Sequence, residues 1–229
     1  MTTLWQDDAD LFALMKRELF TAVVGDVMDV VGLTRQFLPP EIKPLSDDMV
    51  LVGRAMPVLE ADCSGNLIGH SGEKQPFGLM FRALDDLKPG EVYLCTGASP
   101  TYALWGELMS TRAMQLGATG AVVNGSSRDT RAILQLGFPT FSQGRYAQDQ
   151  GVRGRVIDFR CPLEFASGVK VQPGDIVFGD IDGVVIIPQE QETDVIMAAL
   201  EKVRGENKVR QAILGGMSAT DAYETFGIM

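Results

Sequence analysis

The chain has 229 residues, 45% hydrophobic and 22% charged, which suits one large domain or two small ones and is too apolar for general disorder. Thirty acidic against 20 basic side chains give a net charge of -10, which repels phosphate backbones and anionic bilayers, so neither nucleic acid nor membrane is an expected partner. Cys63, Cys95 and Cys161 form no CxxC pair, no apolar run approaches about 18 residues, and the opening MTTLWQDDADLF is acidic where a signal peptide is basic; a soluble protein of the reducing cytoplasm is expected.

Leu11, Met15, Leu19, Val23 and Val27 recur every four residues and Gly32 closes the run, which predicts one amphipathic helix over residues 8–31. Thr21, Asp26 and Asp29 fall toward its C-terminal half, where acidic groups oppose the helix dipole. Either a partner compensates them, or the helix breaks near Gly25, or both aspartates are solvated surface. After a connection bearing Pro39, Pro40 and Pro44, residues 49–59 read as a strand and 75–87 as a helix stopped by Lys88-Pro89-Gly90.

The central block alternates. Strand 92–96, a helix ending at Leu116, strand 121–124, a short helix ending at Leu136 and strand 139–142 follow one another, the grammar of a mostly parallel α/β sheet. From Arg155 the pattern changes to short strands at 155–159, 168–171, 176–179 and 184–187, parted by Pro-Gly-Asp and Ile-Asp-Gly turns, and implies a second, more antiparallel layer. Residues 190–209 return to helical spacing and 218–226 read as a short terminal helix. No low-complexity linker interrupts the chain, so a single domain is expected, with a helix over 8–31, an α/β core over 49–188 and helices over 190–227.

His70 is the one histidine, in the loop NLIGHSGEK, so any Ser-His-Asp or Cys-His arrangement must run through it; the alternative is an exposed loop residue. No GxGxxG or GxxxxGK[ST] string occurs, and a nucleotide cofactor is not indicated. Arg128-Asp129 follows an apolar strand and a Gly125-Ser126-Ser127 turn, at the expected carboxyl end of a parallel strand, where open α/β sheets bind ligands. An arginine grips a carboxylate or enolate oxygen with a fork of donors, and the aspartate is a hard oxygen ligand suited to magnesium or manganese; the alternative is a salt bridge within a turn. In WGELMS, Gly106 permits close backbone approach and the amides of Leu108 and Met109 become free carboxylate donors if a helix starts there. A start at Ser99-Pro100 would instead consume them.

The segments TAVVGDVMDVVG, WGEL, VVNGSSRDTRAILQLGFPTF and GVKVQPGDIVFGDIDGVVIIP, taken in order from Thr21 onward, resemble the RraA-like family. That family includes 4-hydroxy-4-methyl-2-oxoglutarate and 4-carboxy-4-hydroxy-2-oxoadipate aldolases and the regulator of ribonuclease activity. Glu107 stands 21 residues before Arg128, as in the aldolase signature. The resemblance implies a swivelling β/β/α fold, a homotrimer or homohexamer with sites between subunits, and a class II pyruvate aldolase that also decarboxylates oxaloacetate. It implies that Arg128 binds the pyruvyl oxygen and stabilises the enolate, that Asp129 holds Mg2+ or Mn2+ partly through water, and that Glu107 is the neighbouring acid. The amides of Leu108 and Met109 would hold the substrate carboxylate, and Glu206, with Glu201 as its rival, would come from a neighbouring subunit. For the aldol proton, water on the metal beside Asp129 or Glu107 is the expected base, ahead of His70.

The chain departs from the signature at Ala132, where the aldolases carry Asp or Glu, with Arg131 beside it as a possible contact for a second carboxylate. The loop 66–75 is also longer than the usual connection. Two further readings remain: a protein-binding regulator like the ribonuclease-inhibiting members, and a lyase drifted to another keto or hydroxy acid.

Overall fold

The computed structural model describes residues 4–63 and 76–227; the loop 66–75 with His70 lies outside them. Two helices open the chain, α1 (Asp8–Glu18) and α2 (Thr21–Val30), followed by β1 (Lys43–Pro44), β2 (Leu51–Asp62), α3 (Met80–Asp85) and β3 (Glu91–Thr96). Then come β4 (Ala103–Trp105), α4 (Glu107–Gln115), β5 (Gly120–Ser127), α5 (Thr130–Leu136), β6 (Thr140–Arg145) and β7 (Gly154–Phe159). The chain ends with β8 (Leu163–Glu164), β9 (Lys170–Val171), β10 (Ile176–Asp180), β11 (Gly183–Ile187), α6 (Glu192–Leu214) and α7 (Ala219–Phe226).

The mixed sheet runs β1-β6-β5-β3-β2-β10-β11, with β4 added to β5 and β7 to β2. Its central pairs β2–β3, β3–β5 and β5–β6 are parallel. The strands β7 and β10 run antiparallel to β2, and β11 to β10, so these C-terminal strands extend this sheet, and of the expected second, antiparallel layer only the separate two-stranded pair β8–β9 is formed. Leu38 N–H donates to Val184 O while β1 pairs with β6, so residues 36–44 bring the two edges together into a nearly closed barrel.

The alternation of side chains along each strand divides the core. One face, with Leu51, Ala55, Val92, Leu94, Val122 and Phe141, packs with Val177 and Ile186. The other face meets helices: α1, α2 and α6 cover β10 and β11, and α3, α4 and α5 cover β2, β3 and β5. Among the described residues no helix is long and apolar enough to cross a membrane.

The expected helix over 8–31 is in fact two. Leu19 and Phe20 are extended, and the N–H and Oγ1 of Thr21 donate to Asp180 Oδ2 and Oδ1, each at 2.7 Å. That carboxylate supplies the negative charge a helix N-terminus favours, so the break falls at 19–20 and not at Gly25. The four-residue spacing persisted across the break because Leu11, Met15, Leu19, Val23 and Val27 all enter one core cluster. Asp26 is compensated by Lys202 of α6, and Asp29 is exposed.

Candidate active site

Trp105, Gly106 and Glu107 decide the site. The strand β4 pairs with β5 beyond its apolar part, and α4 starts at Glu107 with Gly106 as its extended N-cap, which excludes a start at Ser99-Pro100. The amides of Leu108 and Met109 therefore belong to the first helical turn, where N–H groups have no intrahelical acceptor. Ser110 fixes the corner: its hydroxyl donates to Gly106 O at 3.1 Å and accepts from Trp105 Nε1 at 2.7 Å.

Opposite this helix start lies Arg128-Asp129. The expected 125–127 turn is the end of β5, whose register against β6 shifts between Val123 and Ser126. The Arg128 N–H donates to Trp105 O at 2.9 Å, tying the two corners together. Asp129 takes a left-handed backbone (φ 54°), a conformation costly for a residue with a Cβ and concentrated at functional sites. Its Oδ2 is 3.4 Å from the Glu107 N–H, and a Cβ on Gly106 would stand 2.8 Å from that oxygen. A side chain at 106 would push the carboxylate out of this position.

A cavity of about 270 Å³ opens at this junction, walled by Phe77, Met80, Leu104, Trp105 and Met109, with Arg128, Asp129, Asp149 and Gln150 as its polar side chains. Gly106 and Leu108 line it as well. Arg128 Nη1 is 2.7 Å from Asp149 Oδ1, and its Nε is 3.6 Å from Asp129 Oδ2. Arg128 thus leans on Asp149 more closely than on its neighbour, and the group remains part-exposed.

Beneath the cavity Gln150 Nε2 donates to Glu60 Oε2 at 2.8 Å. Glu60 is 2% exposed, and burial pushes its carboxyl up to about 8. Burial also raises Tyr93 and Cys95, both on β3.

Glu107 contributes its amide; its carboxylate accepts from Thr111 Oγ1 at 2.8 Å and does not line the cavity. Arg131 is exposed and lines neither this cavity nor the one bordered by Ser127, Thr130 and Arg145 on the far side of Arg128-Asp129. Glu206 lies on α6, 4.0 Å from Lys202, among helices that cover the other part of the sheet. Sequence reading missed Asp149 and Glu60. Asp149 carries no local signal, whereas Glu60 shares strand parity with buried Met56 and Val58 and could have been found as an acid on a core face.

Among the described residues no group of three or more His, Cys, Asp and Glu has metal-binding geometry. The described residues of one chain therefore form no closed cage by themselves. The donor set does fit magnesium, which keeps several waters and takes one or two carboxylates: Asp129 offers a half-exposed hard oxygen ligand in the space that Gly106 clears.

The family model described as RraA-like: Aldolase/RraA matches residues 21–186. A protein of Halalkalibacterium halodurans named "Putative 4-hydroxy-4-methyl-2-oxoglutarate aldolase" is 32% identical over 213 residues, 93% of each chain. The crystal structure of an uncharacterized protein from Pseudomonas syringae superposes with a TM-score of 0.81 at 25% identity, over 98% of this chain and 96% of that one. That of Streptomyces coelicolor RraAS2, described as an unusual member of the RNase ES inhibitor RraA protein family, gives 0.76 at 21% identity, over 90% and 100%, a likeness of fold.

Proposed function

The chain belongs to the RraA-like family, and from that premise we propose that it is a carbon-carbon lyase that cleaves 4-hydroxy-2-keto dicarboxylic acids and decarboxylates oxaloacetate. The observation that carries this reading is the meeting of Arg128, Asp129 and the open N-terminus of α4 on one apolar cavity. A keto-acid carboxylate fits the Leu108 and Met109 amides, where the helix dipole favours an anion. The keto oxygen then meets the Arg128 guanidinium, which stabilises the charge that grows there as the bond between C3 and C4 breaks. The enolate then takes up a proton at C3, so that from 4-hydroxy-4-methyl-2-oxoglutarate, whose hydroxyl loses a proton as its carbon becomes the second keto group, the products are two pyruvates, and from oxaloacetate they are pyruvate and carbon dioxide.

Asp129 would hold the divalent ion, magnesium or manganese, which when bound supplies a second positive charge at the keto oxygen. Asp149 lines the same cavity next to Arg128, and we place it as the carboxylate that takes the hydroxyl proton of an aldol substrate, a step that decarboxylation does not need. Apolar walls from Phe77, Met80 and Trp105 shield one side of these part-exposed charges from water and strengthen their interaction with a bound substrate. Assembly as a trimer or hexamer, which would let Glu206 of a second copy approach this site, belongs to the same proposal; light scattering on the purified protein reads it.

The test is pyruvate release from both substrates with magnesium and with EDTA. The expected result is metal-dependent release that falls about 10²–10³-fold in Arg128→Ala, the range for removing a preorganised charge donor, with folding retained. Equal turnover in Arg128→Ala overturns the assignment. Ala132, where the aldolases carry an acid, favours a second reading as a protein-binding regulator; it predicts no release from either substrate.

A further inference from the structure

Glu60 stands apart from every other buried acid described here. It lies in β2 among apolar neighbours, is 2% exposed, and accepts one hydrogen bond, from Gln150. Its Oε1 has no partner among the described residues, and neither has the hydroxyl of Tyr93, which faces the same core cluster. A buried acid with an unmet oxygen costs stability, and a glutamine or leucine of similar size would fill the place more cheaply.

What the acid holds is specific. Gln150 lines the cavity, is 3% exposed, and is the residue after Asp149. The backbone of this segment is pinned by Ala103 N–H to Gln148 O at 2.8 Å and by Gly154 N–H to Gln150 O at 3.1 Å. Arg153 Nη1 holds Asp149 O at 3.0 Å. The side chain of Gln150 is tied to the sheet by Glu60. We propose that Glu60 is a positioning residue: through Gln150 it fixes the 148–150 segment so that the Asp149 carboxylate meets Arg128 and the aldol hydroxyl at the cavity wall. This rests on the keto-acid reading of the Arg128 cavity.

The titratable neighbours of Glu60 are Tyr93 and Cys95 from β3 and Tyr102 before β4, all neutral at pH 7, with Asp62 two residues along its own strand hydrogen-bonded to Tyr102. Arg155 of β7 is in register with Ala61, hence on the opposite face from Glu60. Among the described residues no cation therefore steadies an ionised Glu60, and burial keeps its proton on up to about pH 8. Above that pH a buried charge appears beneath Gln150; the Gln150 hydrogen bond favours it, but the larger cost of its burial draws the carboxylate toward the cavity and displaces the segment that Gln150 anchors.

The experiment compares aldol cleavage of 4-hydroxy-4-methyl-2-oxoglutarate with decarboxylation of oxaloacetate in Glu60→Gln and Glu60→Leu. In Glu60→Leu, where Gln150 loses its acceptor, aldol kcat/KM falls about tenfold while decarboxylation changes less than about threefold, since misplacing a group by about an ångström costs up to about 10²-fold. In Glu60→Gln the amide oxygen still accepts from Gln150, so aldol cleavage at pH 7 is restored to within about threefold, and the alkaline fall of the wild type near pH 8 disappears. Equal losses of both activities in Glu60→Leu, or an unchanged pH profile in Glu60→Gln, overturn the proposal. A readout without turnover separates its failure from failure of the lyase reading: in a Trp5→Phe background, Trp105, whose ring is 4.9 Å from that of Tyr93, reports the cavity wall by fluorescence. An emission change near pH 8 that Glu60→Gln abolishes is expected whether or not pyruvate is released; its absence counts against Glu60 alone.

Discussion

Asp180 and Glu60 are both buried acids on neighbouring strands of one sheet, and they are treated in opposite ways. Asp180, at the end of β10, receives the N–H and hydroxyl of Thr21 and the N–H of Asp182. Glu60, in β2, receives one amide proton and keeps an oxygen unpartnered among the described residues. A carboxylate saturated by donors from the elements it joins is a fastener, and its site needs no chemistry. One left short of donors behind a cavity is retained for what its proton and its one hydrogen bond do. The same division separates the regions: α1, α2 and α6 clamp one end of the sheet, where Arg54 joins Asp8 of α1 to Glu192 of α6, and the exposed charge of Arg128 and Asp129 collects at the other.

The division can be broken most severely at Asp180. In Asp180→Ala the Thr21 N–H and hydroxyl lose their acceptor, and a loss of about 3–6 kcal/mol in urea-melt stability is expected, from two bonds at about 1.5–3 kcal/mol each. Pyruvate release per folded molecule stays unchanged; a loss below about 1 kcal/mol would show that the junction is not a fastener. At the other end Gly106→Ala drives a Cβ to 2.8 Å from Asp129 Oδ2, and activity should fall about tenfold, a barrier increase of about 1.4 kcal/mol, with stability altered by less. Full activity in that variant would remove the close approach from the account.

Glu60 sharpens the contrast through pH. Its folded pKa is raised to about 8 from a reference of 4.5, so the folded state holds a proton that the unfolded state has released. Stability therefore falls as pH rises from about 4.5 to about 8, by at most about 1.4 kcal/mol per unit, and Glu60→Gln flattens that slope. Guanidinium melts at pH 5, 6.5 and 8 read it, and parallel slopes in both proteins would show the carboxyl to be ionised throughout. The smallest effect belongs to Lys202→Ala, which removes a pair with exposed Asp26 and should cost less than about 1 kcal/mol.

Much of this was legible in the sequence because burial writes itself into spacing. The strands β2, β3, β5, β10 and β11 and the helix α6 stand within a few residues of where apolar runs and turn residues predict them. The break at Leu19-Phe20 was not legible, because its cause is Asp180, 159 residues away, and because both helices pack on one cluster and keep the apolar period intact. The three-residue β4 vanished into the apolar run before α4. Within the site, Arg128, Asp129 and Gly106 announced themselves by residue type and position, while Asp149 reaches Arg128 through the tertiary path of the β6–β7 connection.

The most direct test of an enolate site is exchange of the methyl protons of pyruvate with deuterium oxide, followed by proton NMR, because it needs no aldol substrate: a base at the cavity, Asp149 or water, takes a methyl proton as Arg128 stabilises the enolate, and a deuteron from solvent returns to the carbon. Exchange that requires magnesium and falls at least about 10²-fold in Arg128→Ala is the predicted result. No exchange in the wild type, or equal exchange in the variant, would contradict the account.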